Sequence, residues 1–343
     1  MTPPHELQNL RQLSARIGAD PLIIQGAGGN TSVKDGDIMW IKASGTLLAD
    51  ALAKDIFVAV DLPAMRQSLI AGEERADQPA AFTLDEGALR PSIETSLHAV
   101  MPHRVVVHIH CVNTIAVAIR ADATECLRER LAGFNWAFVS YAKPGAHLAR
   151  QVLKASDEQT DVIVLGNHGL IVGADSVADV EMLLDRVTAA LAVTARASSA
   201  PDTEALAALS DASYQPCAAS HPLHAVALSG ELLSKATQGS LYPDHVIFCG
   251  IAVTALGPGE RPQQAVNRIV ARGLPAPVFL LAKGKGALIR SDASAGAKAM
   301  ARCLGDVLLR VPDEAKLIYL TDEQNAALLD WDAEKYRQAL DAG

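Results

Sequence analysis

Residues 104–113, Arg104-Val-Val-Val-His108-Ile-His110-Cys-Val-Asn113, decide how this chain is read. The run is apolar enough to be a buried strand, and two histidines interrupt it at a spacing of two. Side chains alternate faces along a strand, so both imidazoles point the same way. A third histidine, His168, closes a second apolar run in VLGNHGLIV (164–172) and is followed by Gly169. Three imidazoles from two strands, with a carboxylate beside them, suit a catalytic zinc-type site that keeps one position open. Glu94, in RPSIETSLH (90–98), is the candidate carboxylate.

Each residue also has a plainer reading. His-x-His can be a pair of satisfied core histidines. Glu94 alone can be an exposed glutamate in a first helical turn, stabilised by the helix dipole. Together they form a more specific pattern. A divalent ion held there would polarise a carbonyl and stabilise an enediolate, and Glu94 could take the proton from the neighbouring carbon. His98 lies four residues beyond Glu94 on the same helical face. It is read as a group supporting the ligands, or as a substitute ligand.

Working outward, 5–18 has helical apolar spacing through Leu7, Leu10, Leu13 and Ile17. TSVK (31–34) and DIMWIKAS (37–44) read as two strands joined by a tight turn at Asp35-Gly36. Before them, GAGGNTS (26–32) offers glycines, Gly29 among them, that let backbone approach an anion and form an amide nest. It matches no nucleotide-binding fingerprint. KASG (42–45) adds Lys42, which could help hold a phosphate or carboxylate or could equally be a solvated strand-end charge. Residues 72–90 read as loop. Pro91 and Ser92 suit a helix start running to Met101. TIAVAIRA (114–121) fits a helix or a strand. WAFVSYA and DVIVLG read as strands, and 176–198 as a long helix.

An Ala/Ser/Asp/Pro-rich stretch then separates a catalytic domain (1–200) from a small α/β domain of unknown role (221–343), with 201–220 as linker. In the second domain a helix (223–237), a strand in DHVIFCGIAV, a helix (262–272), a strand pair in PVFLLAKGKGALIRS, a helix (294–309) and a helical tail from Leu320 are expected.

Composition narrows the partners. The net charge is −9 and no Lys/Arg stripe occurs, which argues against nucleic acid and anionic membranes. No segment reaches the roughly 18 apolar residues of a membrane span, and the N-terminal stretch lacks a signal-peptide core. Five widely spaced cysteines (Cys111, Cys126, Cys217, Cys249 and Cys303), with no CxxC, fit reduced thiols and a cytoplasmic location.

These stretches, with SYAKPGAHLA (140–149), together resemble the class II aldolase/adducin family over residues 5–200. The whole chain looks most like the aldolase half of bifunctional rhamnulose phosphate aldolase/alcohol dehydrogenases. The resemblance implies an α/β fold: a central, mostly antiparallel sheet flanked by helices, plus the smaller C-terminal α/β domain. It implies a homotetramer with active sites at subunit interfaces. It also implies that His108, His110, His168 and Glu94 bind the metal, most often zinc with manganese as an alternative, and that Glu94 is the acid/base. Asn30, Ser44, Gly45 and Ser92 fall where sugar-phosphate aldolases bind phosphate. Two departures stand out. Ile93 replaces a second phosphate-binding serine, and no tyrosine follows the His-x-His strand, where Glu129 and Arg130 lie instead. Tyr141 is another acid/base candidate. The expected activity is a metal-dependent aldolase acting on a small ketose phosphate or hydroxy-keto acid. An epimerase or decarboxylase of the same family, or a non-catalytic adducin-like assembly module, are the alternatives.

Overall fold

The computed structural model describes residues 3–85, 87 and 89–329. The chain forms two compact units. The first takes the residues up to Ala118 together with Thr124–Ala192; the second takes Ile119–Ala123 and the residues from Val193 onward. Among the described residues, no helix is long and apolar enough to cross a membrane.

The first unit is built on a seven-stranded sheet. Its elements in chain order are α1 (His5–Gly18), β1 (Asn30–Asp35), β2 (Ile38–Lys42), β3 (Phe57–Asp61), α2 (Leu62–Ala71), α3 (Thr95–Val100), β4 (Val105–Ile109), α4 (Val112–Ala118), α5 (Ala123–Arg130), β5 (Trp136–Val139), α6 (Ala146–Ala155), β6 (Val162–Leu165), β7 (Gly169–Ala174) and α7 (Val177–Ala190). The strand order is β3-β2-β1-β4-β7-β6-β5. Only the β5–β6 pair is parallel, so the sheet is mostly antiparallel as expected. The β1–β2 hairpin turns as predicted, with Asp35 opposite Ile38 and Gly36 at φ 57°. On one face, Val106, Ile163 and Ile171 pack against Leu97 of α3 and Leu148 and Val152 of α6. His108 shares that face, two residues on from Val106 and paired with Ile171.

Several expectations shift. β3 and α2 come from a stretch to which the patterning assigns nothing, although Asp61 caps α2 through the Ala64 N–H and a proline lies in its first turn. Pro91 does not open a helix: it bridges to Ala43 just past the end of β2, and α3 begins only at Thr95. The TIAVA part of TIAVAIRA is helical in α4 while Ile119–Ala121 leave it, and α7 stops at Ala190, short of Ser198.

The second unit contains α8 (Thr203–Leu209), β8 (Tyr214–Pro216), α9 (Leu223–Leu228), α10 (Gly230–Thr237), α11 (Pro243–Cys249), β9 (Thr254–Ala255), α12 (Pro262–Val270), β10 (Phe279–Ala282), β11 (Gly286–Arg290), α13 (Ala295–Leu308) and α14 (Asp322–Leu329). Its sheet order is β8-β11-β10-β9. The stretch read as linker therefore supplies a helix and an edge strand, with β8 paired to β11. The helix expected at 223–237 is two helices meeting at Ser229, whose side chain caps α10. The strand expected in DHVIFCGIAV is helix α11 instead. Pro243 presets its first turn, and burial on nearly every side removes the periodicity that distinguishes a helix from a strand. The tail expected from Leu320 is helical over α14, and its remainder lies outside the described residues. Ile119–Ala123 belongs here: Arg120 bridges to Leu317, the Ile318 N–H donates to the Ile119 carbonyl at 2.8 Å, and the Ala121 N–H donates to the Lys316 carbonyl at 2.9 Å.

Candidate metal centre

Four side chains converge in the first unit. His108 is on β4, and His110 lies one residue beyond the strand's end. His168 sits in the turn between β6 and β7, after Asn167 at φ 53°, a left-handed conformation that asparagine tolerates. Glu94 precedes α3. The ring centroids lie 4.9 Å (His108–His110), 4.9 Å (His108–His168) and 5.1 Å (His110–His168) apart. Glu94 Oε1 is 3.3 Å from both His108 Nε2 and His168 Nε2. All four residues are buried, and one donor atom from each lies within 4.8 Å of the others. The two-residue spacing therefore works, though not as a strand pair: one ring is on the strand and the other is on the chain just leaving it.

The tautomer of His108 follows from its partner. Nδ1 lies 3.0 Å from the Leu170 carbonyl, which can only accept, so in the neutral ring Nδ1 carries the proton and Nε2 presents a lone pair. That lone pair faces His110 Nε2 at 3.0 Å. A cation between such donors removes the repulsion that two bare nitrogens would feel. A tetrahedral ion with bonds of 2.0–2.1 Å has donor–donor edges of about 3.3 Å, which the His108–Glu94 and His168–Glu94 separations match. The donor set thus fits a divalent ion. Burial pushes the Glu94 carboxyl up, but positive charge on the imidazoles, His108 first and then His168 and His110, holds it well below the usual carboxylate range.

Asn30 opens β1 directly opposite His108, and its amide donates to Glu94 Oε2 at 2.6 Å. The sequence reading places Asn30 among the phosphate-binding residues. In the structure its amide donates to the Glu94 carboxylate, 64 positions away in sequence. Only the β1–β4 register reveals that contact. His98 is fully buried and pairs through Nδ1 with Ser32 Oγ at 2.8 Å; burial, then the His108 charge, lowers its pKa to about 3 and keeps it neutral.

The proposed anion-binding residues lie on interlocked loops. Lys42 is 2% exposed and donates to the Ala27 carbonyl at 2.8 Å, so the solvated strand-end reading fails. The Ser92 N–H donates to the Lys42 carbonyl, and the Ser44 N–H to that of Arg90. Ser92 Oγ accepts from the Glu94 N–H, joining this corner to the histidine–glutamate cluster. Gly45 adopts φ 75° beside Ser44. Gly29, at φ 64°, is fixed by its surroundings: a Cβ there would stand 2.3 Å from Ile24 Cδ1 and 2.9 Å from the His108 carbonyl oxygen. Gly169 is equally constrained, since a Cβ would meet the Ile109 carbonyl oxygen at 2.4 Å and the His108 and His110 rings at 3.3 Å. Tyr141 lies in the loop after β5, where burial raises its pKa to about 12. Glu129 and Arg130 are exposed at the end of α5.

A mostly antiparallel sheet carrying a buried cluster of one glutamate and three histidines defines an α/β protein with a donor set that fits a divalent ion. The chain belongs to the class II aldolase and adducin family: the family profile for the Class II Aldolase and Adducin N-terminal domain matches residues 10–195. The chain is 30% identical over 183 residues to the "Uncharacterized oxidoreductase YuxG" of Bacillus subtilis (strain 168). That match covers 49% of this chain and 26% of the relative, so the chain spans about a quarter of the relative's length. Among solved structures, it is similar to the N-terminal class II aldolase domain of a conserved Thermoplasma acidophilum protein, with 23% identity, 56% of this chain and 94% of that one covered, and a TM-score of 0.49. It is also similar to the L-fuculose-1-phosphate aldolase of Thermus thermophilus, with 18% identity, 55% and 92% coverage, and a TM-score of 0.38.

Proposed function

We propose that this protein is a metal-dependent aldolase that cleaves or forms a carbon–carbon bond next to a ketone. Its substrate is a small ketose phosphate or hydroxy-keto acid. The observation that carries this reading is the convergence of Glu94, His108, His110 and His168, with Asn30 on the free oxygen of Glu94. These four residues would hold a divalent ion, with zinc the first choice and manganese the alternative. When bound, the ion supplies Lewis-acid polarisation of the substrate carbonyl. Glu94 moves the proton on the adjacent carbon, and Asn30 keeps its carboxylate aligned for that transfer. The corner made by Gly29, Lys42, Ser44, Gly45 and Ser92 receives the anionic end of the substrate. A tetramer, a cytoplasmic location and a place in carbohydrate metabolism belong to the same proposal.

The test is metal content by plasma mass spectrometry on untagged protein, wild type beside His168→Ala. It is followed by NMR of products from a panel of ketose phosphates and hydroxy-keto acids. About one ion per chain, lost in the variant, and an aldehyde fragment among the products support the aldolase. An epimer or carbon dioxide as the product moves the assignment to another reaction of the same site. No metal after reconstitution removes the reading.

A further inference from the structure

Three alternate side chains of β1 reach the segment that carries Glu94. Asn30, Ser32 and Lys34 point to one face of the sheet, the face that His108 and Val106 share across the β1–β4 register. The Asn30 amide donates to Glu94 Oε2 at 2.6 Å. Ser32 Oγ pairs with His98 Nδ1 at 2.8 Å; His98 Nε2 has no partner, so this is the ring's one hydrogen bond among the described residues. Lys34 Nζ donates to the Met101 carbonyl and, at 2.8 Å, to that of His103. All three β1 residues are buried. The intervening Thr31 turns to the other face, where its Oγ1 pairs with Ser14 Oγ of α1 at 2.8 Å. Four steps along a strand cover about 13 Å and seven along a helix about 10 Å. Residues 30–34 and 94–101 therefore run side by side in the same direction, joined at both ends and in the middle.

Apolar packing alone does not fix α3 lengthwise. Leu97 shares a core cluster with Val106, Ile163 and Ile171, and Ala99 shares one with Met39 and Ile41, yet apolar burial is non-directional. Hydrogen bonds weaken steeply as they bend, so the three rungs set where the helix stops along its axis. The His98 N–H donates to the Glu94 carbonyl at 3.1 Å, which puts the ring held by Ser32 and the carboxylate held by Asn30 in one helical turn. At the far end Arg66 of α2 joins Lys34: Nε donates to the Ala99 carbonyl at 2.7 Å and Nη2 to the Met101 carbonyl at 3.3 Å. Cations are favoured at that carbonyl end of a helix. Burial, with the Arg66 charge beside it, pushes the Lys34 pKa well below the ordinary lysine value, but Nζ keeps N–H groups to donate in either charge state.

We propose that Ser32 and Lys34 are positioning residues for Glu94, acting through α3: with Asn30 they form a ladder along β1 that sets the carboxylate against the three imidazoles. The inference rests on the reading of Glu94 as a metal ligand, and its test on the full chain has two arms. Hydrogen-exchange mass spectrometry without added metal compares wild type with Ser32→Ala and Lys34→Met. Exchange in 94–101 should quicken about 3- to 10-fold in each variant, with 162–165 unchanged. Lys34→Met leaves the Met101 carbonyl to Arg66, and Ser32→Ala decides the matter should that variant not fold. Zinc affinity is then measured by competition with a chromophoric chelator. Ser32→Ala should weaken it about 10-fold in the otherwise native chain and not at all beside Glu94→Ala, where the ladder has no carboxylate left to align. A side chain that merely stabilises the fold would weaken zinc binding equally in both backgrounds. That result, zinc affinity unaltered by Ser32→Ala, or exchange in 94–101 unaltered by Ser32→Ala overturns the proposal. A wild type that binds no zinc removes the metal reading instead, and the exchange pattern then decides the ladder by itself.

Discussion

Both units bury polar side chains, but they do so to different ends. In the first, Glu94, His108, His110 and His168 turn their donor atoms toward one point, with separations of 3.0 to 3.3 Å among their closest pairs. In the second, His245 on α11 is 1% exposed, neither ring nitrogen has a hydrogen-bond partner, and its neighbours are aromatic: Tyr242 at 5.8 Å and Phe279 at 6.3 Å between ring centroids. Among the described residues, the first cluster is the one place where three or more such side chains converge on a metal-sized volume. Burial alone does not make a site; convergence of lone pairs does.

The contrast can be broken at either end. The largest effect is expected at Glu94. Glu94→Gln keeps the shape and removes the base, so turnover should fall by about 10²- to 10⁴-fold while metal content persists. Steady-state kinetics beside metal analysis checks this, and unaltered turnover would break the assignment.

Next is the response of the second unit to acid. Burial lowers the His245 pKa from 6.5 to about 4. The folded state therefore favours the neutral ring. The stability this confers is fully present above pH 6.5 and is lost as pH falls through 4, by about 3 kcal/mol in total. Denaturant melts of wild type and His245→Phe across that window should show the wild type losing more stability on acidification.

Gly169→Ala should cost about 1–3 kcal/mol, because the added carbon would meet the Ile109 carbonyl oxygen at 2.4 Å. Thermal melts and metal content should fall together, since two ligand rings flank the same spot. The smallest effect is expected from His245→Phe at pH 7. Replacing a ring that makes no hydrogen bonds with an apolar one of similar shape should shift stability by no more than about 1 kcal/mol. A large loss there would show that His245 is a partnered functional group and would collapse the contrast between the units.

The local patterns are legible without the structure. Helix α1, the β1–β2 hairpin, β4 and the three histidines follow from short-range periodicity and turn chemistry. What escapes depends on distance or on burial from all sides. Asn30 meets Glu94 through strand register, which no local spacing encodes. Lys42 resembles a solvated strand end because nothing in KASG announces that its ammonium bonds Ala27. α11 resembles a strand because Val246, Ile247 and Phe248 carry strand-forming side chains in a segment whose context is helical. α8 and β8 are hidden in a stretch whose small, polar residues resemble a linker. The start of α2 is different: Asp61 and Pro63 do signal it, as a cap and a first-turn proline, within a stretch whose apolar pattern is otherwise weak.

The five residues Ile119–Ala123 carry a consequence for how such a chain can be inherited. The polypeptide leaves the first unit after Ala118, returns at Thr124 and departs again after Ala192. The two units are therefore not beads on a string that recombination could shuffle at one breakpoint. A crossover after Ala192 would carry Ile119–Ala123 away from Lys316–Ile318, handing the backbone groups of both segments to water. Any new neighbour grafted onto the first unit would have to bring its own edge for that segment to join.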